Sequence, residues 1–204
     1  AGFELTIASP GGGPVPLDPK SESIIMATQR TKRFLKDEEA MTFLSHSILL
    51  EEVKAEDFDA VFLPGGHGPM WDIGDNKTVK QLLEAFNSEN KPIAAVCHGV
   101  VGLLALQTEN GELLIKDKQL TGFSNSEEES AGLTKVVPFL LETKLLSLGA
   151  LYSKAANYVS HVVIDGNIIT GQNPTSSEEL AKKIVALLKE AKQQKPVLQP
   201  ELVT

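Results

Sequence analysis

A short apolar segment that ends in Cys97-His98-Gly99 constrains the fold of this chain more than any other feature. Residues 92–96 (PIAAV) are apolar without interruption, which is typical of a parallel strand buried on both faces. A helical pattern over residues 100–106 follows at once. The sequence therefore predicts a buried strand, a sharp turn that carries the cysteine, and a helix, which is the local context of a nucleophile elbow.

Strand patterns alternate with helix patterns along the rest of the chain. Strands are predicted over residues 3–7, 59–63, 92–96, 162–164 and 168–170, and residues 112–123 indicate two short strands or one bent strand. Helices are predicted over residues 37–45, 75–89, 100–106, 126–131, 138–148 and 175–192. The alternation predicts an α/β fold with a mainly parallel central sheet and helices on both faces. We expect one domain over residues 1–192 and a C-terminal tail over 193–204.

Charge and composition exclude several classes of protein. Lys and Arg number 19 against 27 Asp and Glu, and the resulting net charge of −8 argues against nucleic-acid binding. Apolar runs stay well short of the roughly 20 residues that span a bilayer, so no membrane partner is expected. The single cysteine rules out an internal disulfide and favours a cytoplasmic location. Because the four histidines are spread along the chain, no metal site is expected.

Cys97 is the candidate nucleophile. The start of a helix offers free amides and the positive end of the helix dipole, which would stabilise the thiolate over the thiol. Gly99 lets the turn tighten, because it has no side chain to obstruct it. The alternative is a buried structural cysteine that acts as a small apolar residue.

The segment from Leu63 to Gly68 (LPGGHG) is the second candidate piece of a site. It follows a predicted strand, and sites in open α/β sheets form beyond the carboxyl ends of strands. The amides of Gly65 and Gly66 could form an oxyanion hole with the amide of His98, and His67 could line the pocket. The alternative is a plain connecting turn with His67 capping a loop. The segment matches no phosphate-binding or dinucleotide-binding motif, so no nucleotide cofactor is expected.

These two pieces occur with two others in an order typical of one family. The four segments are residues 62–72 (FLPGGHGPMWD), 95–99 (AVCHG), 121–125 (TGFSN) and 170–174 (TGQNP). Together they resemble the ThiJ/PfpI superfamily, and most closely its branch of heat-inducible chaperones with glyoxalase III activity. The resemblance implies a flavodoxin-like three-layer sandwich, related to class I glutamine amidotransferases.

The resemblance also implies an acidic partner for the Cys-His pair, shortly after the TGF segment. Glu128 is the best-aligned residue, and Glu127 is a weaker alternative. An imidazole that acts as a base is helped by a carboxylate that orients it and stabilises its cation. Read without the resemblance, the run of three glutamates would be a solvated helix start.

The superfamily usually carries a further glutamate, which hydrogen-bonds the cysteine sulfur from the helix after the first strand. Residues 1–7 read as a helix end, a stopping Gly2 and an alternating strand. We therefore expect that helix, and the strand before it, to precede Ala1. The domain over residues 1–192 would then lack its first strand and helix in this sequence.

The activity that the resemblance implies is glutathione-independent conversion of methylglyoxal or glyoxal to a hydroxy acid, without metal or cofactor. Cys97 would form a hemithioacetal, His98 oriented by Glu128 would move protons, and Gly65, Gly66 and His67 would bind the substrate. A cysteine peptidase or amidase of the PfpI type is one alternative. A non-enzymatic holding chaperone or cysteine redox sensor is another, with unfolded proteins as clients. Homodimerisation is expected because it is usual in the superfamily.

Overall fold

The computed structural model describes residues 2–18 and 28–194, with side chains described up to residue 191. These residues form two compact units, one that ends at Lys54 and one that begins at Ala55. Most of the expected tail lies outside the described residues. None of the helices among the described residues combines the length and the apolar character that crossing a membrane requires.

Among its described residues, the first unit holds two short parallel strands, two α-helices and the 3₁₀ helix Leu50–Glu52. The strands and α-helices are β1 (Ala8–Ser9), α1 (Gln29–Phe34), α2 (Glu38–Ser45) and β2 (Ile48–Leu49). The strand expected over residues 3–7 instead forms at Ala8–Ser9. Leu5 is 77% exposed, and pairing with β2 starts only where the Ile7 carbonyl accepts a hydrogen bond from the Ile48 amide. The predicted helix over residues 37–45 is present, because the Asp37 side chain accepts from the Ala40 amide and caps it.

The second unit carries the larger sheet and the candidate site. Its strands and helices are β3 (Val61–Leu63), α3 (Pro69–Asp72), α4 (Lys77–Ser88), β4 (Ile93–Val96), β5 (Gln119–Leu120), α5 (Asn125–Ser130), α6 (Leu141–Ser147), β6 (Leu151–Tyr152), β7 (Val162–Asp165), β8 (Ile168–Gly171) and α7 (Ser177–Gln194). Short 3₁₀ helices lie at Ala55–Asp57, Cys97–Leu103 and Pro174–Ser176.

The four-stranded sheet of this unit has the order β3-β4-β8-β7. Strand β4 pairs in parallel with β3 on one side and β8 on the other, while β7 and β8 form the expected antiparallel hairpin. All four residues of β4 are buried, as its apolar run predicts. The α/β fold with a parallel-dominated sheet is therefore confirmed.

The register of β3 and β4 decides where the site forms. Leu63 pairs with Ala95, so the loop after β3 and the turn after β4 leave the same edge of the sheet. Because both strands run in parallel, residues 64–68 and residues 97–99 are brought side by side.

Several elements differ from the sequence-based prediction, among them α1, β2 and α3, which the sequence patterns did not predict. The helix expected over residues 100–106 is a 3₁₀ helix at Cys97–Leu103, and all seven of its residues are buried. A 3₁₀ helix is narrower than an α-helix, and here Gly99 and Gly102 bring its backbone against residues 63 and 64 and the Leu63 side chain. Strand β6, which pairs in parallel with β5, was not predicted.

Candidate active site

Cys97 lies in a strained position at the end of β4. Its φ is +58°, in the left-handed region that side chains other than glycine rarely adopt. The backbone around it is close-packed, since a Cβ on Gly65 would lie 2.7 Å from the Cys97 Cβ. A Cβ on Gly99 would lie 2.6 Å from the Leu63 carbonyl oxygen. The strain at Cys97 is thus held by backbone contacts that only glycine permits at positions 65 and 99.

We expect Gly99→Ala to lower the free energy of unfolding by about 3 kcal/mol, because the new methyl group meets backbone carbonyls that cannot turn away. Gly65→Ala should also destabilise and should displace the Cys97 side chain. The matched control is Gly68→Ala, where φ is −45° and a Cβ would meet nothing within 4 Å. Urea titration of the three variants measures the effect, and equal stability of Gly99→Ala and Gly68→Ala would contradict the packing argument.

Three buried side chains form a chain of contacts that starts at the cysteine. The Cys97 Sγ lies 3.4 Å from His98 Nδ1, and His98 Nε2 lies 2.6 Å from Glu128 Oε2. A carboxylate oxygen only accepts hydrogen bonds, so His98 Nε2 carries the proton and donates. The neutral ring then leaves Nδ1 as an acceptor facing the thiol. The geometry therefore suits removal of the thiol proton by His98.

His67 adds a second imidazole to the same carboxylate. Its Nε2 lies 2.8 Å from Glu128 Oε1, and its ring centroid lies 4.1 Å from that of His98. The side chain of His67 is 29% exposed, while those of His98 and Glu128 are 0% and 4% exposed. The ligand atoms of these three residues all lie within 4.8 Å of one another, so the group could also hold a metal ion.

The two neighbouring glutamates make different contacts. Glu128 contacts the two histidines, whereas Glu127 accepts from the amide and hydroxyl of Ser124, the Tyr158 amide and the Asn173 side-chain amide. Burial opposes ionisation of Glu127, but these donors hold the pKa of its carboxyl below the usual range. Glu128 is therefore the glutamate that contacts His98, whereas Glu127 joins the surrounding segments to one another.

The environment of the thiol differs from the expectation of a stabilised thiolate. Burial raises the pKa of Cys97 to about 12, and the charges of Glu127 and Glu128 act in the same direction. The backbone amides of His98 and Gly66 hydrogen-bond the sulfur and lower the pKa, but burial outweighs them. Cys97 is only 5% exposed, which also departs from the exposed thiol that a redox sensor needs.

Burial acts on His98 as well. It lowers the pKa of the imidazole below its ordinary value of 6.5, although the hydrogen bond to Glu128 opposes that shift. The nearby His67 lowers the pKa of His98 further. The resting pair is therefore a neutral thiol beside a neutral imidazole.

Two aromatic residues around the site were not predicted. The Phe123 ring centroid lies 4.6 Å from that of His98 and 6.4 Å from that of Tyr158. Phe123 could have been predicted at the site because it lies in the TGFSN segment. No local sequence pattern predicts a place at the site for Tyr158, whose φ is +60°. Asn173 caps the 3₁₀ helix Pro174–Ser176, as its position before a proline predicts, and also donates to Glu127.

Comparisons with known proteins bear on the family and the fold of the chain. Residues 1–187 match the model of the DJ-1/PfpI family. The protein/nucleic acid deglycase HchA of Pseudomonas aeruginosa is 31% identical over 205 residues, covering 94% of this chain and 68% of the relative.

Two solved structures extend the likeness to the fold. Rapid Encystment Protein 24 kDa of Francisella tularensis is 40% identical, with a TM-score of 0.84 over 90% of this chain and 80% of that one. Glyoxalase III of Candida albicans is 26% identical, with a TM-score of 0.83 over 91% of this chain and 80% of that one. Two of these three similar proteins bear the names of enzymes.

Proposed function

This chain belongs to the DJ-1/PfpI family, and we propose that it is a glutathione-independent glyoxalase that converts methylglyoxal to lactate. The observation that carries the proposal is the hydrogen-bonded chain from the Cys97 thiol through His98 to Glu128. The name of the Candida albicans glyoxalase III structure supports the choice of reaction. Names of other relatives point the same way, among them a glutathione-independent glyoxalase of Schizosaccharomyces pombe.

The first step is addition of the thiol to the aldehyde carbon of methylglyoxal. His98 Nδ1 takes the thiol proton while Sγ forms a bond to that carbon, so no free thiolate is needed beforehand. The carbonyl electron pair moves to oxygen, which takes up that proton from His98, so the products are a hemithioacetal and a neutral His98. This order of events fits a thiol whose pKa is raised to about 12.

The second step moves a hydrogen between the two carbons. His98 removes the proton from the former aldehyde carbon and gives an enediolate, which is then protonated at the neighbouring carbon. The product is a thioester of lactate on Cys97, and water cleaves it to lactate and the free thiol. The sum is one methylglyoxal and one water converted to one lactate, with no net oxidation.

Backbone amides beside the sulfur stabilise the negative charge that develops on the substrate oxygen during the reaction. Those of Gly66 and His98 already hydrogen-bond the Cys97 sulfur, so they lie close to the place where the substrate oxygen becomes negative. Gly65 contributes the close approach of its loop to Cys97. His67 holds the second oxygen of Glu128 and borders the substrate from the more exposed side.

The proposal includes a homodimer in the cytoplasm, with a small dicarbonyl as the binding partner. The single free cysteine supports a reducing compartment. The proposal also includes a second role, the protection of unfolded client proteins, which does not depend on the reaction and needs its own test.

The test is an assay of lactate formed from methylglyoxal without glutathione, with a chelator present. The proposal expects lactate in amounts that far exceed the enzyme, at a rate proportional to protein. A folded and reduced protein that forms none would overturn it and would favour a peptidase or amidase, which amide and peptide substrates would reveal. Glyoxal in place of methylglyoxal should give glycolate.

The pH profile of kcat/KM should fall only on the acid side, with a midpoint below the 6.5 of an ordinary imidazole. The base must be neutral, and the buried His98 keeps its neutral form to lower pH than an ordinary imidazole. Because the thiol pKa lies at about 12, the rate should show no rise between pH 7 and 9. A rise through that range would contradict the concerted proton transfer and indicate a preformed thiolate.

A further inference from the structure

His67, His98 and Glu128 form a cluster whose side chains are all possible ligands of a metal ion. It is the one group of three such residues found among the described residues, and its ligand atoms all lie within 4.8 Å of one another. We propose that these three side chains bind a divalent transition metal of the Zn²⁺ class and that the bound ion switches the enzyme off. The inhibition rests on the proposed glyoxalase function, whereas the binding site itself does not.

The donor set is the kind that such ions prefer. Two imidazole nitrogens and one carboxylate oxygen form three of four tetrahedral ligands, and the fourth position is left for water. Both Nε2 atoms already converge on the two oxygens of Glu128, at 2.8 and 2.6 Å. Zinc binds nitrogen at about 2.0–2.1 Å and carboxylate oxygen at about 2.0–2.2 Å, so the three groups need to shift only slightly around an ion.

The three residues come from separate elements that the sheet holds in place. His67 follows β3, His98 follows β4, and Glu128 lies in α5. The spacing of these residues in the sequence does not indicate a cluster, because His67 and Glu128 are 61 residues apart. The histidines that are scattered in the sequence thus meet in the fold, contrary to the expectation that the chain has no metal site.

An ion can reach the cluster from the side of His67. This side chain is 29% exposed, while His98 and Glu128 are buried. His67 also lies between Gly66, whose φ is +91°, and Gly68, and a Cβ on either glycine would meet nothing within 4 Å. The loop therefore has room to adjust the imidazole to a bound ion.

Binding would remove the base that the reaction needs. A neutral imidazole that binds a metal through Nε2 carries its proton on Nδ1. In His98 that proton would then point at the Cys97 Sγ, 3.4 Å away, where the empty acceptor had been. The proton of each imidazole moves from Nε2 to Nδ1, so binding by two neutral histidines and a carboxylate releases none. Nδ1 can no longer accept the thiol proton.

The test begins with calorimetric titration of the metal-free full chain with Zn²⁺ alone. We expect one ion per chain, and affinity weakened by at least about 100-fold in His67→Ala, because loss of a direct ligand should cost no less than loss of an outer contact. The matched control is His46→Ala, which removes an exposed imidazole that bonds Ser45 and the Thr42 carbonyl instead. Equal affinity of His67→Ala and the control would overturn the site.

Cobalt spectroscopy keeps the proposal testable if a variant does not fold. Co²⁺ bound to the unmodified chain should show a tetrahedral spectrum without a sulfur-to-metal charge-transfer band, and Cys97→Ala should bind it equally well. A strong sulfur band, or loss of binding in Cys97→Ala, would overturn the ligand set in favour of the thiol.

The activity assay distinguishes failure of the metal site from failure of the proposed glyoxalase function. Zn²⁺ should inhibit lactate formation with a midpoint that matches the calorimetric affinity, and a chelator should restore the rate. Zinc binding by a chain that forms no lactate without metal would overturn the glyoxalase function but keep the site. Lactate formation by a chain that binds no zinc would overturn the site alone.

Discussion

Cys97→Ala is expected to abolish lactate formation, lowering kcat/KM by at least about 1000-fold, while the fold is kept. The substitution deletes Sγ and leaves the Cβ that packs against Gly65. Without the sulfur no hemithioacetal forms, and His98 has no proton to accept. Cysteine and alanine both have a Cβ and are both strained in the left-handed region, so the strain at φ +58° stays about the same in the variant. The rate is measured as lactate formed without glutathione.

Thermal unfolding and mass spectrometry provide the controls for this variant. Cys97→Ala should melt close to the unmodified protein, since only one atom is lost from the core. Brief exposure of the unmodified protein to methylglyoxal, followed by rapid acid quenching, should trap an adduct on Cys97 that the variant lacks. Lactate formation at the original rate by folded Cys97→Ala would show that another group is the nucleophile.

The strand that carries the cysteine could be predicted from sequence because its signal is local. Four successive apolar residues form β4, and their complete burial follows from pairing on both sides by parallel strands. The same holds for the hairpin of β7 and β8, whose turn is marked by Gly166. Strand β6 has only two residues, and its pairing with β5 depends on how the intervening chain packs.

The contacts of the site were predictable only in part. Resemblance placed an acidic partner near Glu128, but the choice between Glu127 and Glu128 depends on which face of α5 each side chain occupies. The contact between His67 and Glu128 joins residues 61 positions apart, one in the loop after β3 and one in α5, so it is seen only once these elements are packed in the fold. The raised thiol pKa likewise follows from burial, which no local motif encodes.

Glu128→Gln is expected to lower kcat by about 100- to 10,000-fold with little loss of stability. The carboxylate accepts one hydrogen bond from each histidine, but an amide has a single oxygen and must turn its NH₂ group towards one of the rings. Where the NH₂ faces His98, Nε2 becomes the acceptor and the ring proton moves to Nδ1, so the base for the thiol is lost. Steady-state kinetics with methylglyoxal measure the effect.

Glu127→Gln is the matched control, with the opposite outcome. Its carboxylate accepts four hydrogen bonds, two from Ser124 and one each from Tyr158 and Asn173, and an amide cannot satisfy all of these donors. We expect the free energy of unfolding to fall by about 2 kcal/mol or more, while kcat changes by less than about tenfold, because His98 keeps its own carboxylate. Urea titration and kinetics on both variants separate the two roles. A larger loss of kcat in Glu127→Gln than in Glu128→Gln would reverse the assignment and make Glu127 the partner of His98.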